Sequence, residues 1–545
     1  MTHPHDFACR VAPQIGHSSR CGDHPTGKVR GGTVYRAGVQ ALLVHDDRIA
    51  WIGAADQEPS ADRVVDLTGA VLTPAFVDAH VHTTATGLAL IGLDLHGTRS
   101  LRELLDRVEA HARTGRGRII LGSGWDDTLW PEQRPPTRQE LDRAAYGGAV
   151  YLARVDAHSA ACSSALLAAV PEAAGTQGFD ASGVVRLDAH HAVRRAAYAG
   201  ISPTQRRAAQ RATRERAAAL GIGCLQEMSG PEVAGRPDLE ALLRLAAGEP
   251  GPAVLAYWGE LHGFEVVAEL GLAGAAGDLI CDGSLGSHTA AVSEPYADRT
   301  TKGALRYDAE EIRAHVRAAT AAGVQAGFHV IGDVAIDQAV SAVADVADEL
   351  GLGRVRSMRH RLEHAEMPRP EHLAAMARLG MVVSVQPAFD AAWGGQGRMY
   401  EQRLGTDRAA GLNPLAAYAR AGVRLALGSD SPVTALDPWG GIAAAVHHRT
   451  DGSGLSAEQA FNAATVGGWY AARSHAGAGM LQVGAPATFA AWSGTGGVPE
   501  LLERALAGEP PPCRITVVDG AVVYDAVGAV DAVDAVDAVD EGTNS

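Results

Sequence analysis

The most informative stretch of this sequence is Thr73-Pro-Ala-Phe-Val-Asp-Ala-His-Val-His82, an apolar run that ends in two histidines. The run Phe76–Val81 has the length and composition of a buried strand. Residues two apart on a strand point to the same face, so the imidazoles of His80 and His82 lie side by side. Two imidazoles on one face supply half the ligands of a transition-metal site. The chain contains 22 histidines, so this pair alone is weak evidence.

Apolar runs of similar length follow His82 and alternate with helical stretches. One helix is well defined at Asp333–Leu350, with Asp333 as its expected N-cap. Eight strands alternating with helices predict an α/β fold, a (β/α)8 TIM-type barrel. A doubly wound sheet is the alternative, although no G-x-G-x-x-G motif follows a strand. Residues 90–215 break the alternation and are interpreted as an insertion after the first strand. The further candidate strands are Gly223–Glu227, Val254–Trp258, Leu279–Asp282, Val324–Ile331, Met358–His364, Met381–Gln386 and Val423–Leu427.

The two ends of the chain have a different pattern of apolar residues from the middle. Short apolar runs separated by turn residues occur in residues 28–73 and again in 480–526, which predicts one small β-domain built from both ends. The barrel then occupies residues 74–479. Residues 1–27 lack apolar periodicity, and residues 527–545 include four Ala-Val-Asp triplets, so both segments are interpreted as disordered.

Composition excludes several classes of protein. The 545 residues include 47 Lys and Arg against 63 Asp and Glu, a formal charge of −16, which argues against a nucleic-acid or anionic-membrane binder. The six cysteines form no Cys-x-x-Cys pair, so neither a disulfide framework nor a zinc ribbon is expected. The sequence contains no run of about 18 apolar residues and no secretory signal, which predicts a cytoplasmic location.

Three more polar residues stand at the carboxyl ends of predicted strands. His329 belongs to the end of the fifth strand, His364 ends the sixth, and Asp430 follows the eighth. In a barrel of parallel strands these ends converge on one mouth, where active sites lie. Each residue alone has a structural explanation. Together with the pair at His80 and His82, they predict a metal site at the mouth.

Seven motifs of the sequence form a set. They are Thr73–His82, Gly122-Ser-Gly-Trp-Asp126, Arg154-Val-Asp-Ala-His158, Asp282-Gly-Ser-Leu-Gly-Ser-His-Thr-Ala290, Phe328-His-Val-Ile-Gly-Asp333, Arg361-Leu-Glu-His-Ala365 and Gly428-Ser-Asp-Ser-Pro432. Together they resemble the metal-dependent amidohydrolase superfamily, and most closely amidohydrolase family 3. The resemblance covers residues 32–526 and implies a (β/α)8 barrel, a small β-sandwich built from both chain ends, and hydrolysis at an active-site metal.

The resemblance also implies roles for the residues at the strand ends. His80, His82 and His329 would be metal ligands, and His364 would bind a second metal or polarise the substrate carbonyl. Asp430 would be a further metal ligand, would contact the metal-bound water and would carry its proton to the leaving group. One or two divalent ions are implied, with Zn²⁺ as the first choice and Fe²⁺, Mn²⁺ or Co²⁺ as alternatives.

The sequence departs from two-metal relatives at one position. Those relatives carry a carboxylated lysine at the end of the fourth strand, where this chain has Asp278, and the nearest lysines are Lys28 and Lys302. A bridging carbamate is therefore excluded. Either Asp278 supplies a carboxylate instead or the site holds one metal. Glu227, at the end of the second strand, is another candidate acid, and a structural role is preferred for both.

A competing motif is His360-Arg-Leu-Glu-His364, which fits the H-x-x-E-H pattern of inverzincins. That pattern requires both histidines on one helix, whereas Pro368 would end a helix quickly. It also leaves His80 and His82 unexplained. The sequence has no G-x-S-x-G motif, and Cys224 and Cys281 are interpreted as core thiols.

Candidate substrate contacts lie in the insertion and at strand ends. Arg154 has the geometry to clamp a carboxylate, and a structural pair with a nearby aspartate is the equal alternative. A segment at 393–400 is interpreted as an exposed loop, with a mobile loop over the mouth as the alternative. The full set of candidates is Trp125, Asp126, Arg154, Asp156, His158, Ser287 and Gln386.

These observations predict a metal-dependent hydrolase that cleaves a non-peptide carbon–nitrogen bond in an amide-type small molecule, by hydroxide attack on an sp² carbon. One alternative is a heterocycle deaminase that uses a one-metal site of the same kind. Another is a non-catalytic binding relative. A small-molecule substrate is expected, with neither nucleic acid nor membrane as a partner, and homo-oligomerisation is left open.

Overall fold

A computed structural model describes residues 27–30, 33–34, 41–114, 119–474, 477–526 and 528. The predicted disordered segments 1–27 and 527–545 lie outside these ranges, apart from Gly27 and Gly528. None of the helices in the described ranges combines the length and the hydropathy that crossing a bilayer requires.

The strands, in chain order, are β1 Gly27–Arg30, β2 Thr33–Val34, β3 Ala41–His45, β4 Arg48–Gly53, β5 Arg63–Asp66, β6 Ala70–Pro74, β7 Phe76–Val81, β8 Leu93–Asp94, β9 Ile120–Trp125, β10 Val150–Arg154, β11 Ser159–Cys162, β12 Val184–Arg186, β13 Ile222–Ser229, β14 Ala253–Trp258, β15 Gly274–Ala275, β16 Gln325–Val330, β17 Arg361–His364, β18 Val382–Val385, β19 Arg424–Leu427, β20 Phe489–Ser493, β21 Cys513–Val518 and β22 Ala521–Asp525.

The α-helices are α1 Thr83–Ile91, α2 Leu101–Thr114, α3 Arg138–Ala144, α4 Ser164–Ala168, α5 Leu187–Ala199, α6 Pro203–Ala219, α7 Arg236–Gly248, α8 Phe264–Leu270, α9 Ala309–Ala322, α10 Asp333–Leu350, α11 Leu352–Met358, α12 Pro370–Leu379, α13 Pro387–Trp393, α14 Met399–Leu404, α15 Thr406–Ala410, α16 Leu415–Ala421, α17 Pro438–Val446, α18 Ala457–Ala463, α19 Val466–Ala471 and α20 Val498–Leu506. Short 3₁₀ turns occur at Ala55–Gln57, Asp127–Leu129 and Pro171–Gly175.

Eight parallel strands form the barrel in the order β7-β13-β14-β15-β16-β17-β18-β19. The first and last strands meet at the mouth, where the Asp430 amide donates to the His80 carbonyl at 2.7 Å and the His82 amide donates to the Ser431 carbonyl at 3.0 Å. All six residues of β7 are buried, as expected for a parallel strand covered on both faces. The predicted (β/α)8 fold is confirmed, and the doubly wound alternative is wrong.

The sequence places the fourth barrel strand wrongly, and the predicted sixth strand, Met358–His364, begins too early because Met358 is the last residue of helix α11. For the fourth strand the prediction was Leu279–Asp282, whereas the strand is only Gly274–Ala275. Gly277 has φ +84°, so the chain turns out of the extended conformation before residue 279. Beyond that turn, a single bridge joins Ile280 to His329. The predicted helix at 333–350 is confirmed as α10, but its N-cap is Gly332 and not Asp333.

The segment between β7 and β13 carries its own five-stranded sheet, in the order β12-β11-β10-β9-β8. Helices α1 to α6 lie in the same segment. The insertion therefore has a sheet and a core of its own, which includes Leu104, Leu141 and Leu152.

Strands from both ends of the chain share one sheet, in the order β2-β6-β20-β21-β22. Strand β20 pairs antiparallel with β6, with Phe489 opposite Pro74. A second sheet, β4-β3-β1-β5, contributes to the same apolar cluster, in which Leu42 and Ile49 pack with Leu72 and Phe489. Burial of that shared core holds the two ends together.

Trp492 links this β-domain to the barrel. Its indole N–H donates to the Thr73 hydroxyl at 2.8 Å, and its ring centroid lies 5.3 Å from Phe76 and 5.1 Å from Trp439. A side chain at Gly221 would have its Cβ 2.3 Å from the Trp492 ring, so only glycine allows this close approach.

We expect Trp492→Ala to lower the free energy of unfolding by about 3–5 kcal/mol, because it leaves a cavity where the two units meet. Urea denaturation followed by circular dichroism measures the change. Val483→Ala is the matched control, since Val483 is 61% exposed and its truncation should change stability by less than about 0.5 kcal/mol. Equal stability of the two variants would contradict the linking role of Trp492.

Candidate metal centre

Four histidines and two aspartates meet at the carboxyl ends of five barrel strands. All six side chains are buried, and they come from β7, β16, β17 and the segments that follow β7, β15 and β19. They form three overlapping groups whose ligand atoms lie within 4.8 Å of one another: His80, His82 and Asp278; His80, His364 and Asp430; and Asp278, His329 and His364. The five residues predicted as metal ligands and Asp278 therefore come together in one cluster.

The two aspartates lie among the imidazoles. Asp430 Oδ1 is 3.1 Å from His82 Nε2 and 3.4 Å from His80 Nε2. Asp278 Oδ2 is 3.3 Å from His82 Nε2. Asp278 Oδ1 is 3.6 Å from both His80 Nε2 and His329 Nδ1. Asp278 therefore lies between His82 and His329. This is the position at which two-metal relatives carry a lysine.

In each imidazole, one ring nitrogen forms a hydrogen bond with an acceptor outside the cluster. An acceptor of this kind requires the ring N–H, so the other ring nitrogen of each imidazole points into the cluster, where a cation can replace its proton. The pairs are His80 Nδ1 with Glu363 Oε2 at 2.9 Å, His82 Nδ1 with the Met228 carbonyl at 3.1 Å, His329 Nε2 with the Gly283 carbonyl at 3.4 Å, and His364 Nδ1 with Gln386 Oε1 at 2.7 Å.

Glu363 contacts the cluster through His80 and is not among the site residues that the sequence predicts. Its other oxygen accepts from Arg361 Nε at 2.6 Å, and both side chains are fully buried. Burial alone would raise the pKa of Glu363, but Arg361 and His80 lower it to about 2, so it is an ionised acceptor for His80. One feature of the sequence could have identified Glu363, namely an arginine and a glutamate two residues apart on a predicted barrel strand.

The backbone is strained at two of the six positions. His364 has φ +68° and Asp430 has φ +52°, a region that side chains other than glycine occupy at a cost of about 1–3 kcal/mol. Glu363 and His364 are consecutive, and an ordinary strand would send them to opposite faces. The left-handed turn at His364 lets both side chains approach His80.

The donor set fits a divalent cation. His80 Nε2, Asp278 Oδ1 and Asp430 Oδ1 are buried and make no hydrogen bond within the described part of the chain. Burial alone would lower the pKa of His80, yet the carboxylates of Asp430 and Asp278 raise it well above its ordinary value. The cluster therefore attracts positive charge, and nitrogen and oxygen ligands of this kind suit Zn²⁺, Fe²⁺, Mn²⁺ or Co²⁺.

Glu227 lies outside the three groups. It accepts hydrogen bonds from the Thr83 amide at 2.7 Å and from the Ser229 hydroxyl at 3.2 Å. This arrangement secures the first turn of α1 directly after His82.

Arg154 forms ion pairs with three aspartates. Its guanidinium lies 2.8 Å from Asp126, 3.0 Å from Asp127 and 2.9 Å from Asp156. These contacts occupy the guanidinium and favour the structural alternative over a carboxylate clamp. Asp156 also accepts from the Ser287 hydroxyl at 2.7 Å.

The other predicted substrate contacts are spread around the cluster. The His158 ring lies 4.9 Å from His329 at the wall of a cavity. The buried Trp125 indole donates to the Leu152 carbonyl at 2.8 Å, and Trp125 is not among the residues that line this cavity. Gln386 supports His364, as described above, and Asp126 faces a second cavity farther out.

The inverzincin alternative is wrong. Residues 361–364 form strand β17, and His360 points away from the cluster, with its Nδ1 accepting from the Ala326 amide at 3.0 Å. Cys224 and Cys281 are buried free thiols.

A small cavity adjoins the cluster, and we call it the metal pocket. His329, His364 and Asp430 form its floor, and no Lys or Arg is among its lining residues. Its walls are Asp156, His158, Ser284, Leu285, Gly286, Ile331, Glu366, Phe389, Trp393, Met399, Tyr400 and Val433.

The amidohydrolase family model matches residues 63–524. The chain belongs to the amidohydrolase family. It is a metal-dependent hydrolase that acts on carbon–nitrogen bonds, as the sequence predicted.

Known proteins resemble this amidohydrolase along most of its length. YtcJ of Bacillus subtilis (strain 168), whose name describes an amidohydrolase, is 26% identical over 75% of this chain and 80% of its own. The N-substituted formamide deformylase of Arthrobacter pascens is 26% identical over 73% of this chain and 78% of its own. The crystal structure of an uncharacterized metal-dependent hydrolase from Pyrococcus furiosus is 28% identical, with a TM-score of 0.68, over 86% of this chain and 99% of its own.

We expect His80→Ala combined with His82→Ala to abolish metal binding while the fold survives, because two ligands on one strand end are lost together. Elemental analysis and circular dichroism measure the two properties. Full metal occupancy in the double variant would refute this site.

We expect Glu363→Gln to weaken metal binding by about 10- to 100-fold, because a neutral amide orients and polarises His80 less strongly than a carboxylate. Competition with a chromogenic chelator measures the affinity. Glu265→Gln, on the exposed surface of α8, is the control and should bind metal as the parent does. An unchanged affinity in Glu363→Gln would show that the Glu363–His80 contact is only structural.

Proposed function

We propose that this amidohydrolase cleaves a non-peptide carbon–nitrogen bond in an amide-type small molecule. The observation that carries the proposal is the buried cluster of four imidazoles and two carboxylates that opens into the metal pocket. In the overall reaction, the oxygen of water bonds to the carbonyl carbon, the bond from carbon to nitrogen breaks, and a proton from water ends on the nitrogen.

His80, His82, His329, His364 and Asp278 would hold one or two divalent cations, with Zn²⁺ as the first choice. When bound, such a cation acidifies a water molecule and polarises the substrate carbonyl. Burial, reinforced by His329 and His80, lowers the pKa of His364 to about 3. Its ring is therefore neutral at pH 7, which suits a ligand or a carbonyl contact and not a proton donor.

Asp430 is the proposed proton carrier. It lies on the floor of the metal pocket, within 3.4 Å of two imidazole nitrogens. Burial alone would raise the pKa of Asp430, but His80 and His82 lower it well below its ordinary value and keep the carboxylate ionised. The carboxylate is thus able to accept a proton from water and pass it to the departing nitrogen.

Asp278 is the proposed substitute for the missing lysine. It belongs both to the group with His80 and His82 and to the group with His329 and His364. Asp278 Oδ1 lies 3.6 Å from both His80 Nε2 and His329 Nδ1, so we propose that Asp278 would help both groups to hold a cation and that the centre would hold two. The cytoplasmic location stays a prediction, and homo-oligomerisation stays open.

Metal stoichiometry tests the arrangement of the centre. We expect elemental analysis to find close to two metal ions per chain after purification without chelators, and Asp278→Ala to reduce that number. A ratio near one in the parent would refute the shared site and favour the one-metal deaminase.

Product analysis of Asp430→Asn tests the reaction. We expect the parent to release an amine from N-substituted formamides, the compounds that the Arthrobacter relative is named for. The variant should lose about 10²- to 10⁴-fold in kcat, because the proton carrier is gone. Asp451→Asn, on an exposed loop, is the control. Release of ammonia from aminated heterocycles, with formamides, acetamides and cyclic imides left intact, would favour the deaminase instead.

A further inference from the structure

Glu366 is a buried carboxyl group of the metal pocket that the proposed reaction does not use. It follows His364 by two residues and is 3% exposed. Its Oε2 accepts a hydrogen bond from the Tyr400 hydroxyl at 2.6 Å, and its main-chain carbonyl accepts from the Asn413 amide at 2.8 Å. Tyr400 also lines the pocket, so the hydrogen bond places the carboxyl group at the wall that Tyr400 forms.

Glu366 differs from the two other acidic residues that line the pocket. Asp156 is paired with Arg154 at 2.9 Å, and Asp430 lies 3.1 Å from His82, among the ligands of the proposed cation. Glu366 forms no ion pair with any residue in the described part of the chain, and the pocket lining contains neither Lys nor Arg. Its carboxyl group therefore has a hydroxyl partner but no partner with a positive charge.

The surroundings of Glu366 show what such a partner would provide. Burial raises the pKa of Glu366 to about 7, and the Tyr400 hydroxyl, His329 and Asn413 offset that rise only in part. A buried carboxylate without a cation is unfavourable, because it has lost its hydration. A ligand with positive charge and N–H donors would restore those interactions with short, charge-assisted hydrogen bonds.

Aromatic side chains extend from His364 to the wall at Glu366. The Phe389 ring lies 6.0 Å from the His364 ring and nearly parallel to it, at 12°. Trp393 follows at 5.0 Å from Phe389, and Tyr400 at 6.3 Å from Trp393. All three aromatic residues line the metal pocket. Because the faces of aromatic rings attract cations, this wall suits the same ligand charge as Glu366 does.

We propose that Glu366 binds a positively charged nitrogen group of the substrate, an ammonium or a guanidinium group, while the metal cluster acts on the amide. The substrates are then small amides that carry a cationic group, and Glu366 is the residue that selects them. This proposal rests on the proposed amide hydrolysis. The alternative is that Glu366 only fastens Tyr400, and with it α14, to the chain that follows β17.

Calorimetry with propylguanidinium and propylurea tests the cation site without turnover. The two compounds have nearly the same shape, and at about pH 8 only propylguanidinium is charged, so it has no lone pair to offer a metal. We expect propylguanidinium to bind the metal-loaded enzyme about 10- to 100-fold more tightly than propylurea, as a hydrogen bond to a charged group would. Equal affinities would overturn the proposal.

Glu366→Gln isolates the carboxylate, because glutamine keeps its shape and can still accept from the Tyr400 hydroxyl. We expect this variant to bind propylguanidinium and propylurea within about three-fold of each other. Glu371→Gln, on the exposed first turn of α12, is the matched control and should keep the preference of the parent. A full preference in Glu366→Gln would overturn the proposal, since other carboxylates would then bind the cation.

Two pairs of amides separate the cation site from the reaction. Butanamide and 3-aminopropanamide differ by an ammonium group in place of a methyl group on the acyl side, and N-propylacetamide and N-(2-aminoethyl)acetamide differ in the same way on the nitrogen side. We expect the charged member of at least one pair to have about 10- to 100-fold higher kcat/KM in the parent and no advantage in Glu366→Gln.

The outcomes of the two experiments are distinct. Hydrolysis of the neutral amides as fast as the charged ones would overturn the cation site and leave amide hydrolysis intact. Equal losses for both members of a pair in Glu366→Gln would show that Glu366 only supports Tyr400. A preference for propylguanidinium that depends on Glu366, without hydrolysis of any amide, would retain the cation site and refute the proposed function.

Discussion

The burial of two carboxylates in the barrel mouth is the constraint on which the site depends. An ionised Asp278 or Asp430 without a partner would cost several kcal/mol at this depth. Imidazoles surround both carboxylates, and His80 in turn donates to Glu363, which is paired with the fully buried Arg361. Charge of alternating sign thus runs from the mouth into the lumen, and each group makes the burial of the next one tolerable.

Much of the barrel could be predicted from the sequence, because its strands are covered on both faces and appear as continuous apolar runs. The pair at His80 and His82 was readable because strand geometry puts both rings on one face, and the strand-end rule added His329, His364 and Asp430. The fourth strand was not readable, since two residues, Gly274–Ala275, leave no periodic signal.

Other features depend on contacts between distant segments. A glutamate on a strand ordinarily indicates an exposed position, and Glu363 is buried only because Arg361 and His80 meet it inside the barrel. The pairing of Arg154 likewise became decidable only once β9 and β10 brought Asp126 and Asp127 to its side. The outer cavity forms only where the insertion faces helices α13 and α14, and no local sequence pattern indicates that arrangement.

The insertion gives the mouth two unlike walls. The Arg154 network and the serines bonded to Asp156 form a polar wall that is fixed by hydrogen bonds. On the other side, Leu129 and Val155 of the insertion face Trp393 across apolar space. The barrel thus supplies the candidate metal ligands, and the insertion makes one wall of the space above them polar and the other apolar.

The sheet shared by the two chain ends also has a consequence for synthesis on the ribosome. Strand β6 pairs with β20, and the hydrogen bond from Trp492 to Thr73 joins residues 419 apart in sequence. Every barrel strand therefore leaves the ribosome before the partner of β6 does. During that interval β6 presents an unpaired edge, the kind of surface that recruits strands from other chains. A chain interrupted before residue 489 would keep that edge permanently and would be expected to aggregate even with a complete barrel.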